Sequence, residues 1–472
     1  MAKTDKVKSV NSRLKNTNAK LKRREAKIAQ MEARIAELEA EAKKKSGLPC
    51  YGASSPEYYK TIPGHQFSEF VVRYALMLRC ETNASSRDIV KALERLAALT
   101  YGLVDNIPSY NTIDNWVRKC GLDEIKHTPE ALKDIDYAVM IDECMMIGSQ
   151  KLLPVLAGPA EHQGHPLQLE DIKVIAFNVQ SSWNAEDVSK ALSADVEIVG
   201  KAPNYAISDN GSTMRKAIGL SGYTWHRDIS HTLAMFMERV YKNDPDFVGF
   251  NKKLTTCKQQ YCMKEIAYLQ SPNQRTKARF MNLTEGVGWA DTMLQIFPKL
   301  SPLEQEVFSF IPAYASFIEE MKEMVSCIHF IETEMKQHGL SRKTIATCKK
   351  HVCLTIMRGN ERMRMVGHYI LEYLAGEHNL LAETEVVNNS SDIIESAFGI
   401  FKYIQSPNKL NGVTAHVLHL PMRLAFAGES VSKSYNVKER LCRTKNTDIK
   451  LWRDENLLEN PVAKRIKTLK SA

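Results

Sequence analysis

The chain has 472 residues, 44% of them hydrophobic and 25% charged, with ten cysteines and a net charge of +9. That length exceeds a single ordinary core and predicts several domains, and the composition is that of a globular protein. No apolar run approaches the roughly 18 residues that span a bilayer. The first residues are charged where a secretory signal would be apolar, so the ten thiols read as reduced cysteines of a cytosol.

Basic charge gathers at the ends. Residues 1–45 carry 14 Lys and Arg against 6 Asp and Glu, and residues 438–472 carry 10 against 5. The middle is therefore slightly acidic. Basic ends suit a polyanionic partner, and equally they keep tails solvated. Leu14, Leu21, Ile28 and Ile35 recur every seven residues, with Met31 and Leu38 at the partner positions. This predicts a coiled-coil helix over 10–45 that pairs subunits, weaker in its first half where Thr17 and Arg24 stand in the seam. Ser46-Gly-Leu-Pro49 stops it.

Residues 60–125 read as a small helical domain. Phe67, Phe70, Val71, Tyr74 and Ala75 form an apolar stripe. Ser85 to Asp88 caps a second helix over Ile89–Leu99, and Ser109 caps a third over Tyr110–Cys120, closed by Gly121. In the third helix Ile113, Trp116 and Val117 face inward, leaving Asn111, Thr112, Asn115, Arg118 and Lys119 outward. Such a face suits major-groove reading in a helix-turn-helix, although any three-helix bundle has one polar side.

From residue 135 the pattern changes to short apolar runs: Tyr137–Ile141, Lys151–Leu156 and Ile172–Val179. A helix over Ala185–Leu192, a strand over Asn204–Ser208, a helix from Ser212 and a short strand over Tyr223–Ile229 follow. This predicts an α/β layer with a mixed sheet over 135–235. An all-helical insertion over 236–385 comes next, then a helix over Ile393–Tyr403 in a segment 386–425. A polar, basic and loosely ordered tail is expected over 430–472. Cys257-x₄-Cys262 and Cys348-x₄-Cys353, with His351, have the wrong spacing and helical setting for zinc.

Three acids stand out. Asp142 follows the first strand, Asp209 follows the Asn204–Ser208 strand, and Glu395 lies in the first turn of the late helix. Each has a structural reading: an Asp after a strand is often a cap, and Asp392-Ile-Ile-Glu395 also fits a capping box. Together, however, carboxylates on strand ends and a facing helix suit Mg²⁺ or Mn²⁺. A pair of such ions activates a water or a 3′-hydroxyl and stabilises the departing oxygen. Glu143 alternates to the other face of the strand.

This order of acids resembles that of DDE-class DNA transposases, whose catalytic domain is RNase H-like. The long gap from Asp209 to Glu395 is similar to that of Mutator-like and hAT-like enzymes with a helical insertion. Asp228-Ile-Ser-His231 matches their Cys- or Asp-x-x-His signature. Ile394-Glu-Ser-Ala-Phe-Gly-Ile-Phe-Lys402 is similar to the Glu-helix motif of bacterial insertion-sequence transposases. The resemblance covers roughly 135–405. It implies a multidomain protein with an RNase H-like α/β domain interrupted by an all-α insertion. It also implies two metal ions on Asp142, Asp209 and Glu395, and double-stranded DNA as partner, cut at transposon ends and joined to target. His231 would orient a catalytic carboxylate or contact the scissile phosphate, with Asp228 fixing its ring. Trp289 would stack on an unpaired base, or be core. The setting would be a bacterial nucleoid or a nucleus, with a homo-oligomer and no membrane. A nuclease of the same fold that does not join, and an inactive DNA-binding derivative, remain open.

Overall fold

The computed structural model describes residues 59–100, 103–104, 106–142, 145–273, 279–404, 412–427 and 435–471, together with scattered positions between 21 and 35. By internal packing the chain divides into residues 1–60 and residues 61–472. In the first unit the described positions between 21 and 35, among them Leu21, Ile28, Met31 and Ile35, are helical. Those four side chains are each more than half exposed. Leu14 and Leu38 lie outside the described residues.

The second unit opens with three helices, α1 (Glu69–Glu81), α2 (Ser86–Leu99) and α3 (Tyr110–Leu132). Ser85 and Asp88 form a reciprocal capping box at the start of α2, and the Ser109 side chain caps α3. Val71, Leu76, Ile89, Leu93, Ile113, Trp116 and Val117 are fully buried together, as the apolar spacing requires.

Next come β1 (Tyr137–Ile141), β2 (Met145–Ile147), β3 (Gln150–Pro159), β4 (Lys173–Gln180), α4 (Ala185–Val199), β5 (Tyr205–Ser208), α5 (Ser212–Ser221) and β6 (Trp225–Arg227). β1 and β2 both pair antiparallel with β3 along the same side, at Ile141↔Val155 and Met145↔Leu152. β4 pairs antiparallel with the other side of β3, whereas β1, β5 and β6 run parallel. The sheet is mixed, as the strand pattern predicts, with β2 as an additional short piece. Alternation buries both faces. Tyr137, Val139 and Ile141 pack on α4 and α5, and Ala138 and Met140 face the helical side. Gly200, at φ 74°, ends α4 about two turns later than expected.

An all-helical stretch follows: α6 (Ile229–Tyr241), α7 (Pro245–Tyr261), α8 (Leu283–Ile296), α9 (Pro302–Val307), α10 (Phe310–Ala313), α11 (Ala315–His338), α12 (Arg342–Leu354) and α13 (Glu361–Leu380). It shares one continuous core with the sheet, through Ile229, Leu233, Phe236 and Met237. Arg362 ties it together, 2.8 Å from Asp244, 2.8 Å from Asp246 and 2.5 Å from Glu320. Cys257 and Cys348 are buried in it, whereas Cys262 and Cys353 are exposed. No described helix is long and apolar enough to cross a membrane.

The chain closes with α14 (Asp392–Ile404), α15 (His419–Ala425), α16 (Val437–Arg443), α17 (Asn446–Asn456) and α18 (Pro461–Ser471). The tail expected to be loosely ordered is thus helical over much of its length. Met422, Phe426, Tyr435, Val437 and Leu441 join the core of α1–α3, and Arg440 bonds the buried carboxylate of Asp123 at 2.7 Å. The segment 60–125 is therefore not closed by itself.

This packing corrects the reading of α3. The helix runs through Gly121 to Leu132. Gly121 is there because a Cβ would stand 1.8 Å from the carbonyl oxygen of Leu418. A close approach, not a helix stop, demands the glycine. Gly121→Ala is expected to lower unfolding free energy by about 1–3 kcal/mol in urea denaturation, through overpacking. Gly219→Ala, in α5 with nothing within 4 Å of the added methyl, is expected to raise it by roughly 0.5–1 kcal/mol. Equal effects at the two sites would contradict the packing argument.

Candidate active site

The register of β1 on β5 matches Met140 to Ile207. Two residues further along both strands, Asp142 stands opposite Asp209, with neighbouring strands about 4.8 Å apart. Parity gives both acids the face of Met140 and Ile207, which the helical layer covers. Asp142 directly follows Ile141, the last residue of β1. Asp209 begins a tight turn in which its Oδ1 accepts the Gly211 amide at 3.1 Å, just ahead of α5. Glu143 lies outside the described residues.

Asp228 brings the third acid near. It is fully buried and caps α6, its Oδ1 accepting the His231 amide at 2.7 Å. Its Oδ2 accepts the Ser391 amide at 2.6 Å and the Ser391 hydroxyl at 2.9 Å, immediately ahead of α14. The Ile229 amide donates to the Asn389 carbonyl at 2.9 Å. Residues some 160 apart are thereby stitched together, and α14 is docked beside the ends of β1 and β5. Asp392, on the first turn of α14, pairs with Lys336 of α11, which also donates to Ser230 at 2.7 Å.

His231 Nε2 stands 3.4 Å from Glu395 Oε1, and the Glu395 side chain is about half exposed. The hydrogen bond to Glu395 raises the imidazole to about 9 against the opposing effect of burial, with Asp228 and Asp142 adding to the rise. His231 therefore senses both Asp142 and Glu395. It carries charge at neutral pH. The expected role for Asp228 needs correction, since it holds the His231 backbone amide while the ring is turned to Glu395.

A folded-state value above the ordinary 6.5 means that the His231–Glu395 pair contributes fully below about 6.5 and is lost as pH rises through about 9. In metal-free protein the His231 ring protons are expected to titrate near 9 by NMR, and Glu395→Gln should move that transition down. An ordinary His231 titration in the wild type would show that the pair does not form.

Three hard carboxylates fit a divalent cation by donor chemistry. Among the described residues, though, no group of three or more His, Cys, Asp and Glu side chains is gathered closely enough to hold a metal ion. Asp209 and His231 line one cleft of about 490 Å³ with Glu238, Lys242 and Phe280.

The other expected contacts fare differently. Asn111 is exposed, but Thr112, Asn115, Arg118 and Lys119 are half-buried. Arg118 bonds Asn115 at 3.3 Å and His416 at 3.4 Å, so the expected outward face is partly covered by the C-terminal segment. Trp289 is half-buried, donates its indole N–H to the Leu269 carbonyl at 3.1 Å, and meets Phe308 edge-on. It is held as part of the helical core.

Sequence reading did not single out Asn210 or Arg227. Asn210 accepts from Arg227 Nε at 2.7 Å and donates to Thr232 at 2.9 Å. Nor did it find the buried pair of His226 and Glu377, 2.7 Å apart, which fixes β6 to α13. Only the one-residue alternation around Trp225-His-Arg227 hinted at them.

No protein-family model matches this chain, and no curated protein matches it significantly.

Proposed function

We propose that this protein is a DNA transposase of the DDE class, which cuts DNA at the ends of a mobile element and joins the freed end to target DNA. The observation that carries the reading is the register of Asp142 against Asp209 on neighbouring parallel strands, with the Glu395 helix tied to the same edge through Asp228 and Ser391. With β1 and β2 counted together because both pair with the same side of β3, Asp209 follows the fourth strand, and this supports an RNase H-like catalytic layer.

Asp142, Asp209 and Glu395 would hold Mg²⁺ or Mn²⁺, two ions per site, supplying Lewis acidity at the attacking and departing oxygens. His231 would hold Glu395 in place until the cation competes for it. A charged imidazole beside the site would also draw the scissile phosphate inward. The basic ends would add salt-sensitive affinity for double-stranded DNA, and the N-terminal helix would pair two copies. The protein would then work on DNA in the nucleoid or the nucleus.

The test is cleavage of labelled duplex DNA, including the ends of the native element, with Mg²⁺ or Mn²⁺. Wild type is compared with Asp142→Ala, Asp209→Ala and Glu395→Ala. Cleavage lost in all three folded variants supports the reading, and joined products separate a transposase from a nuclease. No wild-type cleavage on any substrate would sink it in favour of a DNA-binding derivative.

A further inference from the structure

Next to the acidic cleft lies a second one of about 570 Å³, and the two share Asn210 and Met235 as a common wall. Three arginines from three successive elements line it: Arg215 of α5, Arg227 of β6 and Arg239 of α6. Aromatic rings hold each of them in place. Arg215 lies 5.9 Å from the Trp225 ring, Arg227 5.2 Å from Tyr373, and Arg239 5.5 Å from Tyr369. Such contacts orient a guanidinium without neutralising it. Among the described residues, none of the three guanidinium groups forms a salt bridge within 4.0 Å, and Glu377 meets Arg227 only at its backbone amide, 3.4 Å away. Of the acids lining the cleft, Glu377 is taken by His226, and Glu372 is exposed.

Gathering three such charges repels them from one another, and an anion bound among them would relieve the repulsion. Arg227 shows the strain: burial first, then Arg239 and Arg215, depress its affinity for its proton. The clefts meet at Asn210, immediately after Asp209. An anion among the arginines would therefore lie on a path leading to the acids.

We infer that Arg215, Arg227 and Arg239 form a track for the phosphodiester backbone of the DNA strand that runs into the acidic cleft. The inference rests on the proposed function for the identity of the polymer. Phe236 and Tyr373 are buried, and Arg227 and Arg239 cover aromatic faces, so bases gain no stacking platform. The track reads charge and spacing, not sequence.

Arg215 and Arg239 are exposed on helix surfaces, so a double alanine variant keeps the core intact. The experiment is fluorescence anisotropy of the full chain with a labelled oligothymidylate of about 20 nucleotides, titrated across salt concentrations. Arg215→Ala/Arg239→Ala is expected to bind at least about tenfold more weakly at low salt. Its plot of log K against log salt should be shallower by about 1.4, the loss of two contacts at roughly 0.7 each on a single strand. An oligoadenylate should bind within a few-fold of the oligothymidylate. An unchanged slope would overturn the track, as would displacement of the oligonucleotide by equimolar ATP or pyrophosphate, which would mark a site for a small polyphosphate. The two readings fail separately. Cleavage that needs Asp142 and Asp209 alongside an unchanged slope removes the track alone. A shallower slope without any cleavage keeps the track and removes the transposase.

Discussion

Asp142→Ala and Asp209→Ala are each expected to lower metal-dependent DNA cleavage by about 10³-fold or more, on the order of 4 kcal/mol of barrier. The two acids face each other across neighbouring parallel strands, so one without the other cannot complete a pair of cation sites. Their double variant should be no worse than either single one, because groups acting as one unit are not additive. Additive losses would show that each carboxylate acts alone. Glu395→Ala should fall in the same class. His231→Ala should lose less, about 10–100-fold, since it positions Glu395 and does not donate to a cation. Its loss should also shrink toward high pH, where the wild-type imidazole gives up its charge as pH passes about 9. A loss at His231 that does not vary with pH would mean that its charge is not what matters.

The sheet was legible in the sequence because β-branched and aromatic runs alternate with turn residues, and both acids could be placed at strand ends from that pattern alone. Its register was not, since pairing Asp142 with Asp209 depends on a parallel crossover through α4. Glu395 could be found from the late helix, yet nothing local says that Ser391 will be bound by Asp228. That link spans the whole helical insertion. The α3 helix misled in a different way. Its polar side chains were expected outside on the sequence of α1–α3 alone, whereas the short turn over Ala415–Leu418 returns from nearly 300 residues away to set His416 against Arg118. Gly121 carried the clue, since a glycine inside a strongly helical stretch costs stability unless a neighbour needs its space. The arginine cleft was invisible for the same reason as the register, its three members lying on three different elements.

Asp228→Ala is expected to cost the most stability of any single change near the site, about 3–5 kcal/mol in urea denaturation, because it leaves several buried donors unmet. The carboxylate accepts from the His231 amide at one oxygen and from the Ser391 amide and hydroxyl at the other. Burial pushes this carboxyl up, with the nearby Asp392 adding to the rise and the amide donors opposing it. Those amide donors and the neighbouring His231 favour the charged form against burial. Removing the side chain also uncaps α6 at its first turn. Ser391→Ala removes only the hydroxyl bond and should cost about 1 kcal/mol. Asp228→Asn keeps one acceptor but turns an N–H₂ toward one of the two amides, so it should fall between these two. The same series reports on function. If Asp228 serves only to hold β6, α6 and α14 together, Asp228→Asn protein that is demonstrably folded should keep most of its cleavage rate. A folded Asp228→Asn protein with cleavage down about 10²-fold would instead mean that the position of Glu395 relative to Asp142 and Asp209 depends on this one buried carboxylate.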